Sequence, residues 1–402
     1  MNLSMLVAIQ HRMRKSAPLL LLLLAITACS NGNGGSEQGS NAAPPAPAPS
    51  SVAGSELPRL RLPEGFRISV FAEAPEARMM TWTPGGVLLV AESGEGAVVA
   101  LPDPQRTGRA TRAVNVLTGQ RRPHGLAFHD GKLFVANENQ VLRYDWNESQ
   151  LRASNPQRLA DLPSGRGHST RTLVFGNGKL YVSSGSSCNV CVEKDPARAA
   201  VLEMNPDGSA SRVFARGLRN AVGLVWNDRT GTVWASENGT DNLGDDLPPE
   251  EINDLGKTGG DFGWPYCYGN RVPDRKFGGD ENRCQSTIPA KVEMQAHSAP
   301  LGLAINNGNM FPVDYRGDMF VAFHGSWNRS IPTGYKVVRI HLNANGEPES
   351  GAQDFITGWL PPGARNNDDV SGRPVGVLFG PDGAMYVSDD GAGLIYRVTY
   401  GK

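Results

Sequence analysis

Long helical periodicity is scarce in this chain of 402 residues, and so is any excess of one charge. Lysine and arginine number 39 against 40 aspartate and glutamate, so no polycationic surface offers itself to a nucleic acid. The first 28 residues carry three of the positive charges (Arg12, Arg14, Lys15) and no acid, leaving the rest mildly acidic at 36 against 40. Several catalytic signatures are missing. Gly256-Lys257-Thr258 has Glu251 where a P-loop requires glycine, no Gly-x-Ser-x-Gly elbow exists, and no His-Glu-x-x-His helix is present. Cys188-Asn-Val-Cys191 is followed by Val192, so it lacks the histidine of a c-type haem site.

What is plentiful is glycine and proline, 48 and 29 residues, about a fifth of the chain against an average of roughly 12%. That excess predicts many tight turns between short strands rather than a helical bundle or a doubly wound sheet. The first thirty residues read as an address. A basic segment precedes Ala17–Ala28, whose centre is the leucine run Leu19–Leu24. This is too short to span a bilayer, which takes roughly 20 residues, and fits a secretory leader. The stretch ends Ile26-Thr27-Ala28-Cys29, the pattern of a bacterial lipobox with Cys29 as the lipidated residue. Ser30 rather than aspartate follows, which suits outer-membrane sorting on the periplasmic side. We therefore expect a lipoprotein signal peptide over 1–28 and a lipid-anchored Ser/Gly/Pro/Ala linker over 29–57, with the folded body over 58–402. The linker has too few large apolar side chains to offset the entropy of ordering it.

Export changes how the remaining cysteines read. An oxidising compartment favours disulfides over zinc, and the simplest pairing is Cys188 with Cys191 and Cys267 with Cys284. A thioredoxin-like role would need a βαβ context that is missing.

Within the body one unit recurs, an apolar strand, a glycine turn and a second alternating strand. Its second half appears six times, from GGVLLVAES at 85–93 to DGAMYVSDD at 382–390. Its first half appears five times, as in HGLAFHDG and VGVLFGPDG. The turn glycines Gly86, Gly131, Gly178, Gly231, Gly317 and Gly383 are 45, 47, 53, 86 and 66 residues apart. The early spacings match a propeller blade of roughly 40–50 residues, and the later ones allow insertions. The expected fold is all-β, a six-bladed β-propeller of four-stranded antiparallel blades.

In such a fold the loops entering each inner strand and leaving each second strand open on one face. The former carry His124, His168 with Arg171, Arg219-Asn220, His297-Ser298 and Arg373. The latter carry Glu92, Glu138, Ser184, Glu237-Asn238, His324 with Trp327 and Arg329, and Asp389-Asp390. Four of seven histidines (124, 168, 297, 324) thus converge on one mouth. Arginine forks and acidic loops there suit a polyanionic organic ligand together with a hard cation such as Ca²⁺. The richest acidic segment, Ser236–Asp246, is no EF-hand because Leu243 takes the third loop position, and as a solvated loop it needs no metal.

Gly167-His-Ser-Thr-Arg-Thr-Leu-Val-Phe-Gly-Asn-Gly-Lys-Leu-Tyr-Val182, Gly217-Leu-Arg-Asn-Ala-Val-Gly223, Ser236-Glu-Asn-Gly239 and Gly259-Gly-Asp-Phe-Gly-Trp-Pro265 resemble the soluble quinoprotein sugar dehydrogenases of the glucose/sorbosone group. Ser186-Ser-Cys-Asn-Val-Cys191 and His324-Gly-Ser-Trp-Asn-Arg329 are closest to its sorbosone dehydrogenase-like branch. The likeness runs in order from about Leu62 to Val398.

This resemblance implies oxidation of an aldose or related sugar or polyol by pyrroloquinoline quinone (PQQ), with Ca²⁺ as Lewis acid. It gives His168 the role of general base and Arg219 a place near the quinone oxygens, with Asn220 also holding the cofactor. Carbonyls of Gly239 and Thr240 would bind calcium, Arg373 and Arg329 would pair with cofactor carboxylates, His124 would lie close to substrate and cofactor, and Trp327 would stack on the quinone. Electrons would pass to a separate periplasmic acceptor, since the chain carries no haem-attachment motif. Three departures stand out. Gly167 replaces the acid that orients the family's histidine, Thr240 stands where a proline is common, and Phe262 replaces a tyrosine that can serve a second calcium. Two other readings compete. A Ca²⁺-dependent propeller lactonase would need Glu92, Glu138, Glu237 and Asp389 on one metal and leaves Arg219 and Arg373 idle. A non-catalytic binding propeller would need none of these residues.

Overall fold

The structure, a computed structural model, describes residues 59–401. The leader, Cys29, the 29–57 linker and the two ends of the 58–402 body lie outside the described residues. Six four-stranded antiparallel sheets form the six expected blades. Blade 1 comprises Ala77–Trp82, Leu88–Glu92, Ala97–Leu101 and Val114–Leu117, and blade 2 Gly125–His129, Lys132–Asn137, Gln140–Asn147 and Arg152–Asp161. Blade 3 comprises Leu173–Gly176, Lys179–Ser184, Ala200–Met204 and Arg212–Arg216. Blade 4 is built from Ala221–Asn227, Thr232–Glu237, Glu250–Asp254 and Val292–Met294, and blade 5 from Pro300–Ile305, Met319–Phe323, Lys336–Ile340 and Gln353–Ile356. Blade 6 joins both ends of the body. Pro374–Phe379, Met385–Asp389 and Leu394–Tyr400 are completed by Phe66–Glu73, with Phe66 opposite Tyr400 and Val70 opposite Tyr396.

The alternation seen in the repeat is what glues the blades together, because successive side chains of a strand point to opposite faces. In Lys132–Asn137, Leu133 and Val135 pack with Leu89 and Ala91 of blade 1. Their neighbours Phe134 and Ala136 pack with Leu180 and Val182 of blade 3. Each pair of adjacent blades owns one such core. All six turn glycines have left-handed backbone, φ between +66° and +82°. The long gap between Gly231 and Gly317 holds an insertion before the last strand of blade 4, with the short helix Glu281–Gln285 and the Cys267–Cys284 disulfide. The Cys188–Cys191 disulfide also forms as expected.

At the axis the inner strands approach more closely than side chains allow. A Cβ on Gly223 would lie 2.1 Å from the carbonyl oxygen of Leu301, and one on Gly302 2.7 Å from that of Val375. On Gly125 it would lie 2.5 Å from that of Arg171. This is why the first half of the repeat carries glycine beside its apolar residues. Serine stitches the same seam. Ser236 donates to the Leu301 carbonyl and Ser388 to that of Arg78, at 2.6 Å each. Gly223→Ala should cost about 1–3 kcal/mol through overpacking against backbone. Thermal unfolding followed by circular dichroism should show a clear loss in Tm, whereas an unchanged Tm would mean that the seam opens freely.

Candidate active site

The strand limits put the expected residues at one end of the ring. His124 directly precedes Gly125–His129, Arg219-Asn220 precede Ala221–Asn227 and Arg373 precedes Pro374–Phe379, while His324 directly follows Met319–Phe323. His168 is held by the loop that follows the second strand of blade 3. Its Nδ1 lies 3.0 Å from the Ser186 hydroxyl and 3.2 Å from the Ser186 carbonyl. That hydroxyl already donates to the Cys188 carbonyl at 2.6 Å. Both atoms facing Nδ1 can therefore only accept, so Nδ1 carries the proton and Nε2 keeps its lone pair. Ser186 is thus the orienting partner that the sequence left open. A Cβ at residue 167 would sit 2.3 Å from the Ser186 carbonyl oxygen, so the same close packing excludes an acid there.

His124 is fixed in the same sense. The Thr172 hydroxyl donates to Val222 and lies 3.2 Å from His124 Nδ1, leaving His124 Nε2 buried without a partner among the described residues. Burial, reinforced by the charge of Arg78, holds the His124 pKa well below its ordinary value. Burial, reinforced by Arg219, brings His168 down to about 3. Both imidazoles are neutral at physiological pH.

Arg219 is clamped. Its Nε donates to the Asn189 carbonyl at 2.8 Å, and its guanidinium reaches Asn189 Oδ1 at 2.9 Å, the Asn238 carbonyl at 3.1 Å and the Asp241 carboxylate at 2.5 Å. A second cluster centres on Asp390, which accepts from Arg78 at 2.6 Å and from His324 Nε2 at 2.8 Å. Burial pushes the Asp390 carboxyl up, but His324 and Arg78 outweigh it and hold the group at about 2. Arg373 donates to the carbonyls of His324 and Gly325 at 3.2 and 3.0 Å. Arg78, His124, Arg122, Ser169, Thr170 and Asp390 line a cavity of about 330 Å³. A larger cavity of about 550 Å³, at the turn end of blades 1 and 6 beside Trp82 and Arg397, gathers none of the expected residues.

Arg78 was missed by sequence reasoning. The first strand of blade 1 has neither the glycine nor the alternation of the other copies, so the first half of the repeat was found only five times. The offsets of His124 from Gly131 and of Arg373 from Gly383, 7 and 10 residues, bracket the 8 that separate Arg78 from Gly86.

Some expected residues have other occupations. His297 Nε2 meets the Gly244 carbonyl at 2.7 Å, so this histidine serves a loop backbone. Arg329 ties its loop to the neighbouring one, donating to the Asp245 carbonyl at 2.5 Å and lying 3.4 Å from the Asp246 carboxylate. Trp327 is 63% exposed at the rim, so its face is free to meet a ligand. Asn220 is buried, and its side-chain oxygen has no partner among the described residues.

The carboxylates of the lactonase reading do not gather on one point. Glu138 binds Gly165 and Arg121, while Asp389 accepts from Trp359, Tyr396 and the backbone of Arg373 and Ala392. Among the described residues the one metal-like trio is Cys188, Cys191 and Glu193, whose two sulfurs are bonded to each other.

For calcium the donor set fits. A small cavity of about 20 Å³ is lined by Glu237, Gly239, Thr240, Glu251 and Asp274, and Glu237 Oε2 is buried without a partner among the described residues. These are hard oxygen ligands. A polycarboxylate quinone also fits, since the guanidinium groups of Arg78 and Arg219 act on the neutral His124 and His168, and that of Arg373 lies beside His324.

Burial pushes Glu250 up to about 8 and raises Glu237 well above its usual value, Glu251 adding to the latter. Raised carboxylates stabilise the metal-free fold at low pH and lose that contribution as pH rises through about 8. Calcium bound in the cavity would have to displace the protons of Glu237 and Glu251, both raised by burial, so its affinity should rise with pH. The Tm gap between calcium-loaded and chelator-treated protein should be wider at pH 9 than at pH 6. An equal gap at both pH values would remove the buried glutamates from the site.

Comparison with known proteins supplies the last observation. Residues 60–401 match a family model described as TrAA12-like. A curated relative, the pyrroloquinoline quinone-dependent pyranose dehydrogenase of Coprinopsis cinerea, is 28% identical over 414 residues. The match covers 87% of this chain and 56% of that protein, so the chain spans little more than half of this relative's length. The solved PQQ domain of Coprinopsis cinerea pyranose dehydrogenase, in its holo form, superposes with a TM-score of 0.75 at 24% identity, covering 85% of this chain and 97% of that one. The calcium structure of the family AA12 enzyme of Trichoderma reesei gives 0.77 at 23%, covering 88% and 100%. At these identities the two superpositions show a shared fold.

Proposed function

This chain belongs to the TrAA12-like family, and we propose that it is a PQQ- and calcium-dependent dehydrogenase that oxidises an aldose or related sugar or polyol. One observation carries the reading, the locking of His168 with Nδ1 as donor and Nε2 as acceptor beside the clamped guanidinium of Arg219. When bound, PQQ supplies a two-electron acceptor and calcium the Lewis acid that polarises it. His168 takes the substrate hydroxyl proton at Nε2 as the carbon is oxidised. His124, with its own Nε2 unpartnered, accepts a hydrogen bond from a second hydroxyl. Arg219, Asn220 and Arg373 hold the quinone and its carboxylates. Trp327 covers the quinone face, Arg329 braces the rim beside it, and the carbonyls of Gly239 and Thr240 hold the ion. An imidazole at about 3 is a weak base, and the charge of Arg219 is one cause. A negative charge brought beside Arg219 would offset that part of the shift, while burial, its larger cause, would remain.

The test uses the purified protein titrated with PQQ, with and without Ca²⁺, followed by quinone absorbance and by dye reduction across aldoses and polyols. We expect stoichiometric, calcium-dependent binding and sugar-driven reduction. His168→Ala should bind PQQ yet lose about 10²–10⁴ in kcat, whereas Arg219→Ala should weaken cofactor binding as well. Absence of PQQ binding under every calcium condition would overturn the proposal and leave the mouth as a binding surface.

The address read from residues 1–29 makes the enzyme an exported lipoprotein, anchored on the periplasmic side of the outer membrane and passing electrons to a separate periplasmic acceptor. Radiolabelled fatty acid should be incorporated by the wild type and not by Cys29→Ala. Equal labelling of the two would refute the anchor.

A further inference from the structure

The loop between the second and third strands of blade 3 touches His168, Arg219 and Asp241. Ser186 receives His168 at its carbonyl and hydroxyl, and its own N–H donates to the Arg219 carbonyl at 2.7 Å. Three residues later Asn189 uses its carbonyl and both polar atoms of its side chain. Its carbonyl and Oδ1 accept from Arg219, Oδ1 also accepts from the Asp241 N–H at 2.9 Å, and Nδ2 donates to the Asp241 carbonyl at 3.1 Å. Asp241 follows Thr240 directly, so the same side chain reaches the proposed calcium loop. Ser186 sits just outside the four-residue ring closed by Cys188 and Cys191, with its hydroxyl on the Cys188 carbonyl, and Asn189 sits inside it.

Closing so short a loop withdraws less chain entropy than the 17-residue separation bridged by Cys267 and Cys284. Its contacts with the site set it apart from that second bridge. Resting on the proposed dehydrogenase reading, we propose that the Cys188–Cys191 ring is a positioning device. It fixes Ser186 and Asn189 so that His168 keeps Nε2 as its proton acceptor and Arg219 keeps its guanidinium in one place. Without the ring, Asn189 and the Cys188 carbonyl move independently, and the imidazole is free to exchange tautomers.

The experiment compares the full chain with C188S/C191S. Selective ¹⁵N-histidine spectra of the PQQ-free protein, assigned through H168Q, report the tautomer of His168 directly. The wild type should show one species protonated at Nδ1, and C188S/C191S should show both tautomers and a His168 titration nearer the ordinary histidine range. With PQQ and calcium bound, kcat should fall about tenfold or more, in line with the cost of misplacing a catalytic group, with little change in sugar KM. A folded C188S/C191S protein with the wild-type His168 signature and wild-type kcat would overturn the proposal. Should that variant not fold, N189A in the oxidised chain decides. Weakened PQQ affinity with a lowered kcat is expected, and wild-type values of both would overturn it. Should the wild type itself fail to oxidise any sugar with PQQ, the functional reading falls, and the histidine spectra still decide whether the ring sets the tautomer.

Discussion

Where inner strands meet at Gly125, Gly223 and Gly302 no room is left for a side chain, and much of the molecule follows from that crowding. Where Gly223 passes Leu301 and Gly302 passes Val375, a single methyl group would collide with backbone oxygen. Glycine at these points lets the strands close in, and Ser236 and Ser388 then reach the neighbouring carbonyls. Behind the seam, alternation on each second strand fills two interblade cores at once. The ring so formed is closed by pairing Phe66–Glu73 with Leu394–Tyr400, which ties the two ends of the folded body into one blade.

The same convergence creates an electrostatic problem at the mouth. Arg78, Arg219 and Arg373 are brought close to the buried His124 and the half-buried His168 and His324, and charged imidazoles would be costly there. The structure resolves this by keeping His124 and His168 neutral and by fixing their tautomers through hydroxyls whose own protons are already committed. His324 is likewise held low, to about 4, by burial that outweighs its contact with Asp390. Positive charge is thus concentrated on guanidinium groups, while the imidazoles serve as acceptors. Such a division suits an anionic planar cofactor beside a substrate that must lose a proton.

Several features were legible in the sequence because they are local. The glycine turns, the alternating second strands, both disulfides and the positions of His124, His168, Arg219 and Arg373 relative to the strands all follow from short-range pattern. Arg78 was not legible, because the inner strand of blade 1 carries methionine and threonine where other copies carry glycine and leucine. Nor was the different fate of the histidines. His297 and His168 occupy equivalent stretches of the repeat, yet one meets the Gly244 carbonyl and the other a serine hydroxyl with an accepting lone pair.

By itself, then, the sequence determined the number of blades, their all-β character and which face gathers arginine and histidine, since these depend on periodicity and turn chemistry within a few residues. Only the tertiary structure decided which of those groups are free to act. A donor or acceptor is committed by whatever lies opposite it, and here that partner is 18 positions away for His168 and Ser186, 53 for His297 and Gly244, and 312 for Arg78 and Asp390.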